Sequence, residues 1–385
     1  MNVYLDNSAT TRVRDEVINE IIDVFKKNYG NPSSLHRMGF EVEKKVKNAR
    51  VIISKFLNVN ENEIFFTSGG TESNNIAVQG IINKLKRRGN HIVTTKIEHP
   101  SIMNIFKYYE LNGFEVTYLD TNEFGLINLE QLEKCITENT ILAAIMMVNN
   151  ENGTIQPIDE IRKIIKAKNR NTKIHVDGIQ AFGKLKVDLK KLGIDSFSFS
   201  GHKFHAPKGV GGLYLSNNIN IEPVVYGAGQ ESGKRAGTEN VPGIVGMGKA
   251  VEILHKNFKN EIDHVSEIKQ YFIDAVKSNI TDIRFNSYID ENCAPHVVNV
   301  SFLGTKAEVL LHYLENYNIF ISTGSACSSR DKSVSKILLA MGLKEKEIEG
   351  AIRFSFSHYN NKEEVDYVVD KLKICISEIR KIMKR

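Results

Sequence analysis

The 385-residue chain predicts an α/β fold: a mostly parallel sheet of the seven-stranded type flanked by helices, with a smaller α+β region at its C-terminal end. Three observations carry this. Strand-like and helix-like stretches alternate from residue 64 to residue 215. Residues 140–148 are nearly all apolar, as a strand buried on both faces of a parallel sheet must be. Polar residues also gather where the predicted strands end: Gly70 and Thr71, His99, Asn150, Asp177 and Lys203. Helix caps alone would not place such groups at five separate strand ends. Ligands of open α/β sheets bind at that edge.

The elements follow in order. Residues 3–5 read as a short strand, and helical period runs over 14–27. A turn cluster at 30–34 precedes a helix over 39–57, with Val42, Val46, Ala49, Ile53 and Phe56 on one face. Strand 64–67 is followed by Ser68-Gly69-Gly70-Thr71-Glu72-Ser73 and a helix to about 86. Strands are predicted over 91–95, 114–119, 140–148, 173–176 and 196–200, with helices near 100, over 128–136 and over 158–168. A glycine-rich turn at 208–212 leads into strand 212–215. A long helix is expected over 241–278, and a composition shift near 260–285 marks a second domain. There, strand 297–302, helix 306–315, strands 319–323 and 351–357 and a helix over 362–383 follow. The last helix should bury Val365, Val368, Leu372, Cys375, Ile379 and Ile382. The expected division is a large domain over 15–258, with a small domain made of 1–14 and 259–385.

Composition excludes several classes. A net charge of +5, spread over helix faces, does not argue for direct binding of nucleic acid. No apolar run reaches about 18 residues, so no membrane span is expected. The first eleven residues lack a basic region followed by an apolar core, so no signal peptide is read there. Cys135, Cys293, Cys327 and Cys375 form no CxxC pair, so neither a metal site nor a disulfide framework is indicated. A reducing, cytoplasmic compartment fits. Cys135 and Cys375 read as core, and Cys293 as part of a polar loop.

Four stretches carry chemistry. After strand 64–67, small residues open a helix whose first N–H groups can face a phosphate, with Thr71 adding a hydroxyl. The alternative is a plain capped helix. His99, before a proline-started helix, either faces a ligand or serves as a structural hydrogen-bonder. Asp177 is either a site carboxylate or a helix cap. Lys203 ends the alternating Ser/Phe run 196–200, behind Gly201 and His202. There an amine can be held rigidly and partly out of water, ready to form an imine with a carbonyl cofactor. Read alone, it is equally an ordinary loop lysine. The glycine-rich, basic stretch 226–238 could meet a phosphate, and the small polar residues around Cys327 predict an exposed, mobile loop.

Taken together, these residues are recognisable. YLDNSATT at 4–11, FTSGGTESNN at 66–75, EHPS at 98–101, VNNENGTIQPI at 148–158 and HVDGIQAFGK at 175–184 resemble the cysteine desulfurases. So do SFSGHKFHAPKGVG at 198–211, RAGTEN at 235–240, STGSACSS at 322–329 and IRFSFSHYN at 352–360. These are pyridoxal 5′-phosphate (PLP) enzymes of fold type I, close to the class V aminotransferases. The resemblance covers nearly the whole chain, in order.

The resemblance implies a role for each matching residue. Lys203 would bond PLP and move the substrate α-proton. Asp177 would pair with the pyridine N–H, His99 would lie on the ring face, and Gln180 would donate to the ring hydroxyl oxygen. Gly70, Thr71, Ser200 and His202 would hold the phosphate, with Thr238 lent by the neighbouring subunit of a homodimer. Asn150 and Arg353 would bind the substrate carboxylate, and Cys327 would accept sulfur from L-cysteine. The implied reaction turns L-cysteine into L-alanine and leaves an enzyme persulfide. That sulfur would pass to an acceptor protein, either an iron–sulfur scaffold or a tRNA-thiolation enzyme. Residues 331–342, DKSVSKILLAMG, depart from the Leu-Glu-Pro-Ser type of run frequent in the family's long-loop branch. Selenocysteine lyase, PLP β-lyase and a non-catalytic sulfur carrier of the same fold are the alternatives.

Overall fold

The computed structural model describes residues 1–323 and 335–383. Its strands are β1 Val3–Tyr4, β2 Ile64–Thr67, β3 His91–Thr95, β4 Glu115–Leu119, β5 Thr140–Met146 and β6 Lys173–Asp177. They continue with β7 Ser196–Ser200, β8 Gly211–Leu215, β9 Ile283–Phe285, β10 Val297–Phe302, β11 Ile319–Phe320 and β12 Ala351–Ser355. The helices are α1 Asp15–Lys27, α2 Arg37–Leu57, α3 Gly70–Leu85, α4 Pro100–Leu111, α5 Leu129–Cys135 and α6 Ile158–Lys168. After them come α7 Leu189–Leu192, α8 Val241–Asn279, α9 Ala307–Glu315, α10 Lys336–Ala340, α11 Glu345–Glu349 and α12 Lys362–Met383.

Seven strands form the large sheet in the order β2-β8-β7-β6-β5-β3-β4. Only β8 runs against its neighbours, so the sheet is mostly parallel, as expected. β5 and β7 are buried along their whole length, which explains the apolar run in one and the small Ser/Phe alternation in the other. Phe197 and Phe199 point from β7 into the layer packed by Val176, Phe182 and Phe204. Gly178 lies against Phe197, and a Cβ there would come 1.8 Å from the ring. That contact requires glycine just after Asp177.

A second unit has an antiparallel sheet ordered β12-β10-β9 and a parallel pair of β1 with β11. Helix α8 serves both units. Its first half, through Val251, packs into the core under the large sheet, and its second half, from Val265, packs with β10, β12 and α12. The division expected after residue 258 falls inside this helix, between its two buried stretches.

Several details differ from the sequence reading. β5 ends at Met146 rather than at residue 148, because Val148 turns away to bridge Ile155. Ile382 is exposed, since the last turn of α12 runs past the core, whose final member is Ile379. Cys293 is buried rather than set in an open polar loop; Thr154 pairs with it and Ala294 is tied to Gly153. Cys135 is only half-buried.

Candidate active site

The C-terminal edge of the large sheet opens into a cavity of about 750 Å³. Every strand from β2 to β7 apart from β4 sends its following loop there. Of the twelve predicted site residues, ten line it: Gly70, Thr71, His99, Asn150, Asp177, Gln180, Ser200, His202, Lys203 and Arg353. Thr238 is exposed and is not on the wall of this cavity. Cys327 lies outside the described residues.

Asp177 is the last residue of β6 and is 5% exposed. Its Oδ1 accepts the Ile179 N–H at 3.0 Å, and its Oδ2 accepts from Asn74 Nδ2 at 2.8 Å. Asn74 is itself fixed. Its second amide hydrogen goes to Ser101 Oγ, and its Oδ1 accepts from His175 Nε2 and Ser198 Oγ. Burial drives the His175 pKa down to about 3, so this imidazole is neutral. The carboxylate is thus held by a buried, fully satisfied network.

His99 caps α4, the helix that Pro100 starts. The Ser101 N–H donates to His99 Nδ1 at 3.1 Å, and Ser101 Oγ lies 2.8 Å from the same nitrogen. Nδ1 is therefore an acceptor, and the proton sits on Nε2. Burial lowers the His99 pKa; Asp177 works against that and Lys203 adds to it. His99 thus caps the helix and also lines the cavity.

Lys203 closes the short turn after β7. Its Nζ donates to the carbonyls of Ser8 at 2.6 Å and Ala9 at 3.0 Å. Ser8 belongs to the loop after β1, which brings the second unit to the first. His202 contacts Thr10 Oγ1 at 3.2 Å, and burial, then Lys203 and Lys208, push its pKa down to about 4.

Arg353 reaches the cavity from β12 and is 3% exposed. Its Nη1 donates to the Asn150 carbonyl at 2.9 Å and its Nη2 to Asp6 Oδ1 at 2.8 Å. Among the described residues its Nε has no partner, and neither has Asn150 Oδ1, Ser8 Oγ or Glu98 Oε2. All four residues line the cavity. Glu98 is buried, accepts from Thr95 Oγ1 and the Met146 N–H, and has its pKa raised by burial to about 8.

Sequence reasoning gave no role to Asp6, Ser8, Asn74, Glu98, Ser101, His175 or His296. Asn74 had a signal: it lies four residues after Gly70 on α3, hence on the same helix face one turn further in. His296 had none, since it is far from every motif stretch.

The fold and this edge define an α/β enzyme of the aminotransferase kind. Residues 3–368 match the family model described as aminotransferase class-V. A cysteine desulfurase IscS of Clostridium botulinum is 43% identical over 381 residues, covering 99% of this chain and 96% of that protein. The solved structure of a NifS-like protein superposes with a TM-score of 0.92 at 39% identity, covering 98% of this chain and all of that one. Another, titled SspA in complex with cysteine, gives 0.82 at 34% identity over 94% of this chain and 100% of that one. The chain belongs to the class-V aminotransferase family, on its cysteine desulfurase branch.

That family uses PLP, and the donor set fits the group. The cavity offers an amine, a buried carboxylate, an imidazole beside them, and the N-terminus of α3 with Ser200 and His202 nearby. Polar atoms of Ser8, Glu98, Asn150 and Arg353 that have no partner among the described residues are what a polar ligand would satisfy.

Proposed function

We propose that this cavity binds PLP and that the chain converts L-cysteine to L-alanine, leaving the sulfur as a persulfide on Cys327. The observation that carries the reading is the convergence of Lys203, Asp177, His99 and Arg353 on one cavity from four separate elements. Lys203 would bond the aldehyde carbon of PLP, Asp177 its pyridine N–H, and Gln180 its hydroxyl oxygen. Gly70, Thr71, Ser200 and His202 would hold its phosphate, with Thr238 supplied across a homodimer. When bound, the group supplies an aldehyde for amines and an electron sink for the carbon–sulfur bond.

The chain's residues do the rest. Arg353 and Asn150 would hold the substrate carboxylate in the cavity that Lys203 and His99 also line. Lys203 Nζ takes the α-proton, and the Ser8 and Ala9 carbonyls hold the ammonium that forms. His99 carries a proton on Nε2 and has a depressed pKa, so it can give that proton to the site and recover it. The Cys327 thiolate attacks the substrate sulfur. One S–S bond forms as the C–S bond breaks, the C–S electron pair stays with the β-carbon, which takes up a proton, and Lys203 returns the proton to the α-carbon to give alanine. Cys327 alone among the four cysteines is flanked in sequence by small residues, with Arg330 three positions further on as a cation that would favour the thiolate. Burial raises the Cys135 and Cys375 thiols to about 11 and also raises Cys293, which leaves them poor nucleophiles.

The acceptor of the persulfide sulfur is a protein of iron–sulfur assembly or tRNA thiolation, in a reducing cytoplasm. Among the described residues no helix is long and apolar enough to cross a membrane. The test is direct. Protein purified with PLP should be yellow and release alanine and sulfide from L-cysteine plus a thiol reductant. A colourless protein that releases no alanine overturns the reading. Alanine release at the wild-type rate by Cys327→Ala overturns the persulfide step and leaves a β-lyase.

A further inference from the structure

His296 sits at the entrance of β10, 1% exposed, with its backbone carbonyl tied to the Phe356 N–H at 2.9 Å. Its ring meets Gln180, whose side chain stands on the cavity wall. Nε2 of His296 is 3.2 Å from Gln180 Oε1. On its other side, Gln180 Nε2 donates to the Ser8 carbonyl at 3.0 Å. That same carbonyl accepts from Lys203 Nζ.

The protons in this chain of contacts can be assigned by elimination. The Ser8 carbonyl can only accept, so the Gln180 group facing it is the NH₂. Oε1 therefore faces His296, and it also can only accept. So Nε2 of His296 carries the hydrogen. Its Nδ1 is then the bare nitrogen of the ring, and among the described residues it has no hydrogen-bond partner. Burial pushes the His296 pKa well below its ordinary value, and Lys184, Lys269, Arg353 and Lys203 push the same way, so the ring is neutral. A flipped Gln180 would set Oε1 against the Ser8 carbonyl and NH₂ against the imidazole N–H. Both contacts would be lost at once, leaving acceptor against acceptor and donor against donor.

We propose that His296 is a positioning residue that locks the Gln180 side chain in one amide orientation, with its NH₂ turned to the Ser8 carbonyl that also holds Lys203. Gln180 thereby keeps one N–H for an oxygen of the bound ligand, and the second unit of the fold controls a donor in the first. The link to catalysis rests on the PLP reading above; the tautomer and the amide orientation do not.

Two measurements test it. In the apo protein, nitrogen NMR of labelled imidazoles, with His296→Gln used to assign the signal, should show a neutral Nε2–H ring. An Nδ1–H or doubly protonated ring overturns the proposal. In the holoenzyme, His296→Met removes the donor at similar volume. It should lower kcat about tenfold, the worth of one hydrogen bond, with KM little changed, and shift the visible band of the cofactor. His296→Gln places an amide N–H near the same point and should restore both. In a Gln180→Ala background His296→Met should add nothing further. If the two effects multiply independently, or His296→Gln behaves like His296→Met, the proposal is wrong. A wild-type protein that takes up no PLP would instead defeat the functional reading and leave the NMR result to stand or fall alone.

Discussion

Arg353→Lys separates a substrate-binding guanidinium from a merely structural one. Arg353 is buried, and two of its nitrogens are committed to Asp6 and to the Asn150 carbonyl. Among the described residues the Nε edge has no partner. A carboxylate could use it together with one shared Nη hydrogen. Lysine keeps the charge and can still pair with Asp6, but a single ammonium cannot also offer a planar fork. The loss is about one charge-assisted hydrogen bond, roughly 1.5–3 kcal/mol. At 1.4 kcal/mol per decade this is roughly a ten- to hundredfold fall in kcat/KM. The carboxylate is held alike before and during reaction, so most of the fall should appear as a higher KM. The assay is initial-rate alanine release across L-cysteine concentrations, with thermal unfolding of both proteins as a control for the Asp6 pair. A variant with wild-type KM and wild-type kcat would refute the assignment and leave Arg353 as the partner of Asp6 only.

Other residues give shorter tests. Lys203→Ala should lose borohydride-fixed cofactor while keeping its circular dichroism; peptide mapping that finds the label on another lysine in the wild type would end the assignment. Mixing a Lys203 variant with a Thr238 variant should restore part of the activity if Thr238 serves the neighbouring subunit, and no recovery would place the whole site in one chain. Glu98 has a pKa raised to about 8 by burial, so the folded protein keeps a proton there that the unfolded chain releases near 4.5. Its contribution to stability is complete below the unfolded value and is lost as pH rises through about 8. Glu98→Gln should therefore gain on the wild type in urea midpoint between pH 5 and pH 8, and a constant difference would contradict the buried neutral acid. Gly178→Ala should cost about 1–3 kcal/mol through collision with the Phe197 ring, read from denaturant unfolding.

What could be read in the sequence follows from the range of the forces involved. β3, β7 and α6 were legible to the residue because strand period, apolar runs and caps are local. The cavity was legible in outline because each contributing loop begins where a strand ends, and a parallel sheet brings those ends together whatever their order. Contacts between distant segments left no trace of that kind. Asp6 and Arg353 are 347 positions apart, and His296 and Gln180 are 116 apart. Nothing about His296, in a stretch read only as a loop before a strand, said that its ring would enter the other unit. Its neutrality follows from burial, and its tautomer from which neighbour can donate, and both appear only after folding. Ten of the residues named from the sequence thus line the cavity. The residues it missed, Asn74, Ser101, His175 and His296, hold the first set in place. Their chemistry is that of ordinary buried hydrogen bonds, and their meaning lies in the group at the other end.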